Sequence, residues 1–92
     1  MALTRFSYGR LVITPGVRKA LAETGEGYMP FLIRHATGDW GDLPDCEKES
    51  NDKALAEGGR LLSEYHTTDR TKFWILTEAD RSATTLLLPD EY

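Results

Sequence analysis

The chain has 92 residues, 40% hydrophobic and 28% charged, with a formal net charge of −4. That length leaves room for one hydrophobic core, so a single domain over residues 1–92 is expected, and the composition excludes a disordered chain. Acids outnumber bases, which argues against direct binding to nucleic acid.

The start MALTRFSYGRLVI lacks the basic residues, long apolar stretch and small-residue cleavage site of a secretory signal. The longest apolar runs, FWIL at 73–76 and LLL at 86–88, fall far short of the ~20 residues a membrane span requires. Cys46 is the only cysteine and cannot form an internal disulfide, a staple that small secreted domains often carry. A cytoplasmic protein with no membrane contact is therefore expected.

Residues 5–14 read as an opening strand or hairpin, with Leu11 and Ile13 on one side and Val12 on the other. Thr14 followed by Pro15 starts a helix, because the hydroxyl can cap free backbone donors and proline's fixed φ suits the first turn. Val17, Ala20 and Leu21 form its apolar stripe, and Gly25 and Gly27 stop it. YMPFLIRHA fits either a buried strand or a short helix; Pro30 in a first turn favours helix, and Thr37 and Gly38 end it. GDWGDLPD is a loop. Asp42 is expected to cap a helix that runs to about Glu57, with Leu43, Cys46, Ala54 and Leu55 on its buried stripe and Asn51 nearby.

After Gly58 and Gly59 the period changes. RLLSEY at 60–65, KFWILT at 72–77 and TTLLL at 84–88 read as strands joined by hairpin-length links, and Pro89 ends the last. The expected fold is α+β: an N-terminal strand, two to three short helices, then a C-terminal three-stranded antiparallel meander with the helices packed on one face. Parallel pairing of the opening strand with a later one is compatible with this order. Exposed sheet edges are also compatible with a homodimer.

Charge is unevenly spread. Residues 1–41 carry five Arg/Lys against three Asp/Glu, whereas residues 42–92 carry six against twelve. Asp39, Asp42, Asp45, Glu47, Glu49, Asp52 and Glu57 crowd one segment, suited to a solvated helix face or to a basic partner. His35, Asp39 and Asp42 are candidate ligands for a divalent metal, the one cofactor considered, although turn formation and capping also explain the acids. His35 with His66 would make an acid–base pair only if the fold joined them. Trp40, between Gly38 and Gly41, is either a plug over the core or an exposed anchor. In TEADRSATT, Arg81 beside Glu78 and Asp80 fits a local ion pair, and Arg60 with Arg81 is the anion-binding alternative. No P-loop, paired CxxC, dinucleotide fingerprint or nucleophile elbow occurs.

RHATGDWGDLP, the run from Asn51 to Tyr65 containing RLLSEY, and WILTEADRSATTLLLPDEY resemble a family of small bacterial proteins that carry plasmid-related or hypothetical labels. The resemblance covers roughly residues 31–92. It implies a bacterial cytoplasmic protein carried on mobile elements, and it transfers no catalytic residue. The leading functional expectation is a non-enzymatic binding or regulatory module that presents Asp39, Trp40, Asp42 and Asp45 to a basic protein. The alternative is a small metal-dependent hydrolase built on His35, Asp39 and Asp42, with Glu78 or Asp80 as base.

Overall fold

Local signals place the first elements of the computed structural model, which describes residues 4–92. Strand β1 (Arg10–Ile13) is shorter than the expected stretch at 5–14 and leads into helix α1 (Pro15–Thr24). Thr14 Oγ1 accepts from Val17 N at 3.3 Å and caps that helix, and Gly25 stops it in the left-handed conformation. Helix α2 (Met29–Ala36) resolves the strand-or-helix ambiguity as helix. It buries Leu32, His35 and Ala36 and leaves Met29 and Ile33 exposed.

Helix α3 (Asp45–Glu57) corrects two expectations. It carries no side-chain cap, because Asp42 turns instead to His66, and Cys46 is exposed rather than part of a buried stripe. Only Asn51 of the helix is buried. A single apolar pair, Ala54 and Leu55, joins Trp40, Leu43 and Leu61 in a small cluster.

Strands β2 (Leu61–His66), β3 (Lys72–Thr77) and β4 (Ala83–Leu87) follow, then a 3-10 turn at Pro89–Glu91. The α+β class and the three helices match expectation, but the meander does not stand as a sheet of its own. The sheet has four strands in the order β1-β4-β3-β2, and β1 runs parallel to β4. A parallel neighbour requires a long connection, which the three helices together with β2 and β3 supply. The remaining two pairings are antiparallel, with Ser63 opposite Ile75 and Ile75 opposite Leu86.

Helices α1 and α2 cover one face of the sheet. Val17 and Leu21 pack there against Tyr65, Phe73, Ile75 and Leu86. Helix α3 departs from the expected packing on that face and attaches along the outer edge of β2. Asn51 donates from Nδ2 to Leu62 O at 2.7 Å and accepts from Leu62 N at 3.1 Å. On the opposite face Trp74 meets Tyr92 edge-on, with ring centroids 6.0 Å apart. No helix among the described residues is long and apolar enough to cross a membrane.

Candidate functional site

His35 was the most chemically suggestive residue in the sequence, and the structure places it fully inside, on α2 above the middle of the sheet. Its Nδ1 lies 2.6 Å from Ser63 Oγ and its Nε2 lies 2.9 Å from Thr77 Oγ1. Thr77 Oγ1 is 2.7 Å from Thr84 Oγ1, which in turn donates to Tyr8 O at 2.7 Å. A hydroxyl has one proton to give, so the order of donation is determined. Thr84 gives its proton to the carbonyl, Thr77 gives to Thr84, and His35 Nε2–H gives to Thr77. Burial, with the Arg81 guanidinium as second cause, lowers the ring's pKa from 6.5 to about 3, so the ring is neutral and its Nδ1 accepts from Ser63 Oγ.

The ring also sits among aromatic neighbours. Phe6 and Trp40 approach it edge-on with centroids at 5.2 and 5.7 Å. Trp40 is only 3% exposed, and its Nε1 donates to Asp52 Oδ1 at 2.9 Å. It is the plug of the two readings, which removes it as an exposed anchor.

The acids around it are separately engaged. Asp39 forms an ion pair with Arg34 at 2.8 Å and accepts from Gly41 N at 3.1 Å, so its carboxyl titrates below the usual range, chiefly because of Arg34. Tyr65 donates its hydroxyl to Asp39 O, and burial pushes that phenol up. Asp42 pairs with His66 Nδ1 at 2.8 Å. Gly41 holds the loop tight against β2 at φ +76, where an added Cβ would lie 2.0 Å from Glu64 O.

The proposed metal set thus falls apart spatially: His35 is closed in by hydroxyls, while Asp39 and Asp42 are exposed and paired with Arg34 and His66. Among the described residues no group of three His, Cys, Asp or Glu side chains is arranged to hold a metal ion. His66, on the surface with Asp42, does not meet His35. Asp45 is exposed at the first turn of α3, and neither it nor Glu47 nor Glu49 forms an ion pair among the described residues.

The two arginines read as an anion site do different work. Arg81 Nη1 donates to Gly59 O at 2.6 Å, Glu78 O at 3.0 Å and Ala79 O at 3.2 Å, and its Nη2 reaches Ala54 O at 3.4 Å. It ties the end of α3 to the β3–β4 turn, with Phe6 against its guanidinium at 5.7 Å. Its donors are used by carbonyls, which leaves little to offer an anion. Arg60 pairs with Glu78 at 3.8 Å and lies 5.6 Å from the Tyr92 ring centroid.

Sequence reasoning missed Ser63, Thr77 and Thr84 as partners of His35. Alternation was the available signal, since Ser63 and Thr77 occupy inward positions of strands whose other inward residues are apolar. The chain matches no family model, no curated protein and no solved structure.

Proposed function

We propose that the chain is a non-catalytic binding module that presents the outer surface of α3 to a basic surface on a protein partner. The observation that carries this reading is the helix itself: 13 residues long, buried only at Asn51, with Asp45, Glu47, Glu49 and Glu57 unpaired among the described residues. Acids in the first turn favour the helix dipole, but like charges four apart, as at Asp45 and Glu49, repel. A complementary basic surface would relieve that repulsion and steer association. Asp42 extends the same charge, whereas Trp40 lies beneath it and takes no part. A nucleic-acid-handling protein, whose basic surface normally meets phosphates, fits the partner class. The hydrolase reading draws no comparable support, because both ring nitrogens of His35 already have hydroxyl partners.

The test compares the wild-type chain with an Asp45→Lys/Glu49→Lys variant, shown folded by circular dichroism, as baits in a host lysate at low and high ionic strength. Basic proteins held by the wild type, released by salt and missing from the variant are expected. The same proteins on both baits would sink the reading.

A further inference from the structure

The two edges of the sheet are treated differently. On β2 the outward backbone groups of Leu62 and Glu64 are engaged: Asn51 bonds both groups of Leu62, Glu64 N donates to Trp40 O at 3.2 Å, and Asp42 N donates to Glu64 O at 2.8 Å. On β1, Arg10 N and Thr14 N bond inward to Ser82 O and Leu86 O. Alternation then turns the N–H and C=O of Leu11 and Ile13 outward. Among the described residues one group reaches any of these, Arg18 Nε at 3.5 Å from Ile13 O.

This open edge borders a groove of about 580 Å³ between β1 and α1, lined by Leu11 and Ile13, by Arg18, Leu21 and Ala22, and by the turn at 26–28. An extended segment laid along β1 would satisfy the free backbone groups and send alternate side chains into the groove. Charge selects that segment. Arg18 has no carboxylate partner among the described residues, and Arg10 adds a second exposed cation at the start of the strand. The groove's own acid, Glu26, is occupied through Oε2 by Thr24 Oγ1 at 2.6 Å and Thr68 N at 3.1 Å. A second copy fits less well, since antiparallel pairing of β1 with itself sets Arg10 of one copy beside Arg18 of the other.

We propose that the β1 edge accepts, as an added strand, an extended peptide segment that carries an acidic side chain. This surface lies at the opposite edge of the sheet from α3 and stands whether or not α3 binds a basic protein. The probe is a fluorescein-labelled, end-blocked heptapeptide in which valine and threonine alternate about a central aspartate. Saturable anisotropy is expected, weakened about tenfold or more by Arg18→Glu, and recovered on that variant by a probe with lysine in place of aspartate. Leu11→Pro removes an outward donor while sparing the ladder to β4, and should abolish binding. If that variant fails to fold, a probe N-methylated on alternate amides tests the same pairing on the wild-type chain. The proposal is overturned by no saturable binding, by binding that survives N-methylation in both amide phases, or by a β1-mediated homodimer in sedimentation equilibrium.

Discussion

His35 shows how burial redirects a residue whose chemistry suggests catalysis or metal binding. The native ring refuses a proton down to about pH 3, whereas its unperturbed value is 6.5, so between those values the unfolded chain binds more protons. Stability from this group is complete above pH 6.5 and falls as pH drops towards 3, at a rate of up to about 1.4 kcal/mol per pH unit. Chemical unfolding at a series of pH values should therefore show a steeper acid loss in the wild type than in His35→Asn, and parallel curves would contradict the assignment. At Gly41 the positive φ and the contact with Glu64 O act together, and Gly41→Ala is expected to cost about 2 kcal/mol or more in denaturant unfolding. Cys46 is exposed, so a thiol reagent should label it in the native state nearly as fast as in urea; strong native protection would place it back in the core.

The same tension between local signal and long-range contact appears in the elements. Helix α1 was legible because its start and stop are local: Thr14, Pro15 and Gly25 act on backbone within a few residues. The start of α3 was not, because Asp42 chose a histidine 24 positions away over the nearby backbone donors. Without a wide apolar stripe, α3 depends on the paired bonds of Asn51 to Leu62. Asn51→Leu leaves two backbone groups of β2 without these partners and should cost about 2–4 kcal/mol. Hydrogen exchange would show faster exchange in α3 than in α1; uniform protection would mean that the helix is held by other contacts. Strand bounds were legible to within a residue at β2, β3 and β4, since alternation of buried and exposed positions is itself local.

Across the whole molecule, charge follows the order of the strands, with exposed Arg10 and Arg18 at the β1 edge and the acids of α3 along the β2 edge. Repulsion within α3 predicts that moderate salt stabilises the fold, by up to about 1 kcal/mol, read as a rise in the urea midpoint with added sodium chloride. A fall would mean that attraction between the two edges outweighs repulsion within one. Composition and local pattern determined the α+β class, three helices and the strands themselves, because periodicity, caps and breakers act over a few residues. Tertiary structure alone decided that β1 joins β4 in parallel, that Trp40 is buried, that Arg81 binds carbonyls and that His35 meets Ser63 and Thr77. Each of those outcomes includes contacts between groups 12 to more than 70 positions apart, and such convergence follows from packing the whole core, which no window of sequence contains.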